Sequence, residues 1–151
     1  MKNKNSVKLY NVLFPLWMLM LFPAVWLIVL PGNFIIDSAV LLISLFALKV
    51  TGKKQFYKKN ILKVFAFGLL ADIIGSAYMF ILAFYFEVGR MGDELYLTLP
   101  ALLISAVLIF VFNYFFTFRK ADGKLRLYLP LIFAICTAPY TFLVPSSWLY
   151  F

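Results

Sequence analysis

Two aspartates stand inside long apolar stretches of the sequence, Asp37 and Asp72, and they are the residues with most scope for chemistry. The chain has no histidine and a single cysteine, Cys136. Histidine-based acid and base catalysis, catalytic triads and the usual zinc sites are therefore excluded. No H-E-x-x-H or G-x-S-x-G motif occurs either. The sequence predicts no cofactor and no metal, so any chemistry rests on carboxyl, amide and hydroxyl groups.

Asp72 lies eight residues beyond Val64, which places it about 12 Å along an apolar helix that begins there. At 100° per residue, such a helix gathers its small and polar residues within one arc. We expect this arc to face the rest of the protein, because small residues let helices approach closely in lipid. The arc holds Gly68, Asp72, Gly75, Ser76, Met79 and Ala83, and the opposite side holds Leu70, Ile74 and Ile81.

Further polar residues are predicted to lie near the depth of Asp72. Asn113 is about five residues from the inner end of its apolar segment, and Thr137 is about ten from the start of the next. We therefore expect an intramembrane polar cluster of Asp72, Asn113, Thr137 and Ser76. Two interpretations are open. The cluster either locks the helices through hydrogen bonds with the acid protonated, or forms a proton or cation relay or a polar contact for a ligand.

Asp37 invites a simpler interpretation. It lies four residues after Asn33, and we expect it in the first turn of its helix at the outer membrane interface, where the helix dipole favours a negative charge. Asp37 and Asp72 would then belong to opposite halves of the membrane. Without a pair of acids at one depth, the sequence predicts that the protein is not an enzyme.

Residues 68–75, GLLADIIG, look like the small-residue, acid and glycine pattern in a helix of the substrate-binding subunits of energy-coupling-factor vitamin transporters. The resemblance covers eight of the 151 residues. Those subunits generally have six helices and an alanine-rich motif in an early helix, and neither feature occurs here. The resemblance implies no more than transport as an alternative function.

The composition defines the elements that must position these residues. The chain is 65% hydrophobic and 13% charged, whereas soluble domains are typically about 25% charged. A domain of this length can bury only part of so much apolar surface, and lipid covers the remainder. We predict an all-α, polytopic integral membrane protein that forms one domain over residues 1–151.

Five apolar segments approach the roughly 20 residues that a membrane helix needs. The shortest is 33–50, at about 27 Å. It follows Pro31, Gly32 and Asn33, which favour a tight hairpin with Asn33 as the helix cap. The predicted spans are about 11–30, 33–50, 64–86, 97–118 and 127–149.

The basic residues predict the orientation. Of the 14 lysines and arginines, all but Arg90 lie before the first span, around 51–63, or within 119–126. The positive-inside rule then places the N-terminus in the cytoplasm and the C-terminus outside. The net charge of +8 is therefore an orientation and lipid-surface signal, and nucleic acid is not an expected partner. Small size, lysine-rich inner loops and no organelle-targeting pattern favour a bacterial inner (plasma) membrane.

A second basic feature is the group Lys53, Lys54, Lys58 and Lys59, with apolar residues at helical spacing between the lysines. The segment is either a short amphipathic helix near 53–62 whose lysines meet anionic lipid headgroups, or a solvated loop.

Two functions fit these features. The first is a non-catalytic accessory or interaction subunit that packs against another membrane protein or a second copy of itself. The alternative is a component of a small-solute or ion transporter or channel that uses the Asp72 cluster. The observation that separates them is whether a water-accessible cavity reaches Asp72.

Overall fold

The computed structural model describes residues 23–86 and 95–143. These contain the α-helices α1 Pro23–Ala47, α2 Lys53–Phe86, α3 Leu95–Phe112 and α4 Gly123–Cys136. A π-helical turn, Asn113–Thr117, continues α3, and a 3-10 turn, Tyr140–Leu143, follows α4. Strands are missing from the described residues, and the all-α expectation is confirmed.

Three stretches are long and apolar enough to cross a membrane: Pro23–Ala47, Lys53–Leu82 and Thr98–Thr117. By contrast, α4 has 14 residues, and its length of about 21 Å falls short of a membrane core. Residues 1–22 and 144–151 lie outside the described part, as does most of the first predicted span. Helices that could span a membrane are therefore present, but the count of five is not confirmed.

The predicted hairpin at Pro31-Gly32-Asn33 is wrong. All three residues lie inside α1, which runs without interruption from Pro23 to Ala47. Proline removes only one backbone donor from a helix, and apolar helices of this kind tolerate that loss when their surroundings satisfy the freed carbonyl. Turn-forming residues are therefore weaker signals in an apolar segment than in a soluble one. The span predicted over 33–50 is the second half of α1 together with the turn that follows it.

Helix α2 has 34 residues, or about 51 Å of length, which exceeds a membrane core of about 30 Å. Its first three turns contain the lysines of 53–63, and they continue directly into the apolar part. Neither a separate interfacial helix nor a loop is present there. The segment with Lys53, Lys54, Lys58 and Lys59 is helical, as the amphipathic-helix interpretation requires, but it is the first part of α2 and not a separate short helix.

The connection between α1 and α2 is a tight C-terminal cap. Lys49 has a positive φ of 51°, and its amide donates to the Phe46 carbonyl at 3.2 Å, while the Val50 amide donates to the Leu45 carbonyl at 3.1 Å. This pair of bonds defines a Schellman motif, in which glycine usually occupies the left-handed position. Gly52, with φ 69°, then turns the chain into α2. The two helices consequently form a compact antiparallel pair.

Helix α2 packs against both α1 and α3, and α4 packs against α1 and α3. The core between them includes Leu41, Leu45, Val64, Ile109 and Phe133. The predicted inward face of α2 is confirmed for four of its six residues: Asp72, Gly75, Ser76 and Met79 are buried, while Leu70, Ile74 and Ile81 on the opposite face are exposed. Gly68 is half-buried, and the side chain of Ala83 lies outside the described part of the structure.

The predicted fifth span, 127–149, is not one helix. Helix α4 ends at Cys136, and the chain turns through Thr137, Ala138 and Pro139 into the 3-10 turn. Pro139 has no amide to donate and disfavours a helical conformation at the residue before it. The break therefore follows from local sequence, and it places irregular backbone beside α1 and α2.

Candidate functional site

A half-open cavity of about 390 Å³ lies where α1, α2 and the end of α4 meet. Asp37 comes from α1, Asp72 from α2, and Thr137 from the break after α4. Both aspartates are buried, with 5% and 6% of their surface exposed. The lining residues are Val25, Val29, Gly32, Asn33, Ile36, Asp37, Gly68, Leu69, Asp72, Cys136, Thr137, Ala138, Pro139 and Tyr140.

The placement of Asp37 and Asp72 in opposite halves of the membrane is wrong. Because α1 continues through Pro31, Asp37 lies near the middle of a 25-residue helix. A Cβ atom at Gly68 would be 3.6 Å from Asp37 Oδ2, so this carboxyl group lies over Gly68. Asp72 follows Gly68 by four residues, which puts the two on one face about a turn apart. The absence of a side chain at Gly68 leaves room for the Asp37 carboxyl beside α2.

One oxygen of Asp72, Oδ1, is buried and has no hydrogen-bond partner among the described residues. A buried polar atom without a partner is costly, and native structures retain few of them. Asp72 also borders a smaller apolar cavity of about 100 Å³, together with Trp26 and Ser76. Asp72 thus lines two cavities, and one of its carboxyl oxygens has no donor among the described residues.

The broken end of α4 supplies the far wall of the 390 Å³ cavity. Thr137 Oγ1 donates to the Phe133 carbonyl at 2.8 Å, and the Thr137 amide donates to the same carbonyl at 2.9 Å. The Tyr140 hydroxyl donates to the Ile135 carbonyl. The carbonyl end of a helix carries about half a negative charge, and the residues at and after this end of α4 line the cavity that holds the two carboxyl groups.

The electrostatic character of the cavity follows from its lining. Among the described residues, the lining includes two acids and the C-terminal end of α4, and no lysine or arginine. Such a site favours a positively charged occupant or protons on the carboxyl groups. Irregular backbone and carbonyl helix ends are also the groups that hold small cations inside membrane transporters. Groups of three or more His, Cys, Asp or Glu fit to hold a metal ion are not found in the described residues.

The four residues of the predicted polar cluster have different surroundings. Thr137 shares the 390 Å³ cavity with Asp72, and Ser76 shares the 100 Å³ cavity with it. Asn113 is fully buried at the start of the π-helical turn, and its amide group donates to the Ile109 carbonyl of its own helix at 2.9 Å. Asn113 lines neither of these cavities.

The register between α2 and α3 explains the position of Asn113. Ser105 Oγ donates to the Ala71 carbonyl at 3.1 Å, and Phe67 stacks against Phe112 with ring centroids 5.6 Å apart. In this antiparallel arrangement Asn113 is level with about residue 65, roughly 10 Å along the axis from Asp72. The sequence-based prediction placed Asn113 at the depth of Asp72 by aligning the ends of their two apolar segments. It could not include the axial offset between α2 and α3.

Asp37, Asn33 and Tyr140 belong to the cavity, but the sequence did not group them with Asp72. A usable signal existed for α1, since its buried residues Asp37, Leu41, Ser44 and Leu45 follow helical spacing. The same spacing continues back through Asn33 to Val29 and crosses the supposed hairpin. No comparable signal marks Tyr140, which reaches the cavity only because α4 ends early. Comparisons of the chain with protein-family models, curated proteins and solved structures find no match.

Proposed function

We propose that this chain is an integral protein of a bacterial inner membrane, with the α1–α2 turn and the loop after α3 in the cytoplasm. The three long apolar helices support membrane insertion. The one-sided distribution of lysine and arginine supports the orientation, because short cytoplasmic loops carry the excess of positive charge. In support, Lys59 and Lys63 of α2 line the same pocket as Arg119 and Lys120 of the loop after α3.

Within that membrane, we propose that the protein is a component of a transporter or channel for protons or a small cation. The observation that carries this proposal is the shared cavity of Asp37 and Asp72 at the negative end of α4. Intramembrane acids that face a cavity are costly for folding and commonly mark ion pathways. The volume of about 390 Å³ also falls within the range of small-ligand sites.

The accessory-subunit function, which the sequence favoured, needs no cavity and no buried acid. It rests on packing faces alone, and Asp37 and Asp72 would then only weaken the fold. The sequence argument against an enzyme relied on Asp37 and Asp72 lying at different depths. That argument no longer holds, since the two acids share one cavity. That the protein is not an enzyme stays a prediction.

Cys136 permits a direct test of the proposed cation site. It is the only cysteine of the chain and lines the cavity with an exposed side chain. Purified protein in liposomes would be treated with a cationic methanethiosulfonate carrying trimethylammonium and with an anionic one carrying sulfonate. Each rate would be divided by the rate with a free small thiol. We expect the cationic reagent to be favoured about tenfold or more, because an acidic cleft concentrates positive reagents.

The carboxyl groups are tested by Asp37→Asn and Asp72→Asn, which preserve side-chain size. The double variant is expected to bring the ratio of the two normalised rates close to one. Ser44→Ala is the matched control, because Ser44 is buried on α1, donates to the Val40 carbonyl and lies outside the cavity lining. An unmodified protein whose Cys136 reacts equally with both reagents, or only with an uncharged maleimide, would contradict the cation site and favour the accessory function.

A further inference from the structure

A second pocket, of about 350 Å³, lies at the opposite, basic end of the bundle. One wall is a single face of α2, since Phe56, Lys59, Asn60 and Lys63 recur at helical spacing. The other wall is the end of the π-helical turn and the loop after it. The residues of this second wall are Phe116, Thr117, Phe118, Arg119, Lys120 and Ala121.

In the part of the chain that the structure describes, the pocket is lined by four positive charges and no acid. Lys59, Lys63, Arg119 and Lys120 line it with exposed side chains, and none of them has an ion pair within the described ranges. Asp122, the acid of the same loop, lies just before α4 and is not among the lining residues. Such unpaired cations around a concave site attract anions strongly, and arginine adds a planar fork that matches phosphate oxygens.

Thr117 adds an independent, uncharged polar group to the pocket. Its side chain is 6% exposed and lines the pocket, yet Oγ1 has no hydrogen-bond partner among the described residues. The π-helical turn causes this placement: its wide turn closes with the Phe118 amide on the Asn113 carbonyl at 2.8 Å and carries Thr117 inward. A hydroxyl group can donate to a phosphate oxygen, and a π-helical turn often occurs at a functional site.

We propose that this pocket binds a phosphate group, carried by the headgroup of an anionic phospholipid. Basic pockets between membrane helices on the cytoplasmic side are suited to such headgroups. The exposed ring of Phe116 beside Thr117 offers apolar surface for the lipid chain. The site differs from the surface predicted at Lys53, Lys54, Lys58 and Lys59. Only Lys59 lines the pocket, and the Lys53 ammonium lies 4.7 Å from the centre of the Phe46 ring.

The test is the binding of fluorescent phosphatidylglycerol to the full chain in detergent micelles, measured with three variants. Lys63→Gln/Arg119→Gln removes two pocket charges and is expected to weaken binding about tenfold or more. Thr117→Val removes only the hydroxyl group and is expected to weaken binding several-fold to about tenfold. Lys54→Gln/Lys58→Gln is the control, because it removes equal charge from exposed positions of α2 outside the pocket. We expect less than about a twofold change for it.

Equal losses in the pocket variant and in the control would overturn the proposal, since they would show a diffuse surface charge effect. Unchanged binding in both Thr117→Val and Lys63→Gln/Arg119→Gln would also overturn the proposal. Thermal unfolding of each variant in the same micelles distinguishes lost binding from lost structure. A separate arm adds millimolar inorganic phosphate. Failure to displace the lipid supports the headgroup as the source, whereas full displacement with the same ranking of variants assigns the pocket to a soluble phosphate and overturns the lipid assignment.

Discussion

At Gly75, α2 lies so close to α3 that one added methyl group tests the contact. A Cβ atom there would meet Ser105 Oγ, and it would be 3.1 Å from the Phe142 ring and 3.4 Å from the Ala101 carbonyl. Ser105 would have to turn away and lose its bond to the Ala71 carbonyl. A buried hydroxyl group without a partner costs about 1–3 kcal/mol. Alanine returns about 1 kcal/mol through its helix propensity. These two terms together are expected to lower the free energy of unfolding of Gly75→Ala by up to about 2 kcal/mol.

Two further variants make the reasoning specific. Gly75→Ala/Ser105→Ala removes the hydroxyl group that the methyl group would strike, so the double variant is expected to recover most of the loss, and a double-mutant cycle measures that coupling. Gly32→Ala is the control, because a Cβ atom at Gly32 has no neighbour within 4 Å. It is expected to be neutral or to stabilise by up to about 1 kcal/mol.

Unfolding by sodium dodecyl sulfate in mixed micelles, followed by tryptophan fluorescence, gives the free energies. If Gly75→Ala were as stable as Gly32→Ala, or if Ser105→Ala gave no recovery, the close contact of α2 and α3 at this level would be refuted.

Three further predictions concern the α1–α2 turn, the buried acid and the orientation. Lys49→Gly is expected to raise the free energy of unfolding by about 1 kcal/mol, because Lys49 has a left-handed φ of 51°; a lower stability in the same micelle titration would contradict the cap. Asp72→Leu is expected to stabilise by about 1–2 kcal/mol, since it removes a buried oxygen without a partner beside an apolar cavity. Loss of stability in that variant would reveal a partner that the described residues do not include. Lys58→Cys in a Cys136→Ser background is expected to resist an impermeant thiol reagent added to intact cells. Labelling of this cysteine from outside would show that the protein has the opposite orientation.

The sequence predicted the helical class and the inward face of α2, because both depend on composition and on periodicity within one helix. It failed where the outcome depends on how a helix continues or where it ends. The sequence around Pro31 predicts a turn although α1 passes through it, whereas Pro139 ends α4 in the middle of a predicted span. Local sequence does not separate these cases, since surrounding helices decide whether a freed carbonyl is satisfied.

The candidate site was also predicted only as far as single helices allow. Asp72 was recognised from its depth within one apolar segment, which needs no knowledge of its neighbours. The cavity partner Asp37 was missed because its depth was counted from a hairpin that does not exist. The level of Asn113 was also misjudged, because the axial offset between α2 and α3 is set by contacts such as Ser105 with Ala71. Relative placement of helices is a property of side-chain packing between them, and periodicity carries no information about it.

The length of α2 determines how far each of its lysines would stand from the hydrocarbon core of a bilayer. If Val64 marks the edge of the hydrocarbon, Val64–Phe86 spans about 34 Å and fits a core of about 30 Å with a tilt near 30°. Lys63 and Lys59 then stand about 1.5 and 7.5 Å outside that edge, within a headgroup layer of roughly 5–7 Å or at its rim. Lys53 stands about 16 Å out, in water. With α2 placed in this way, its lysines would stand at different heights, and Lys59 and Lys63, which line the basic pocket, would lie nearest to the level of the lipid phosphates.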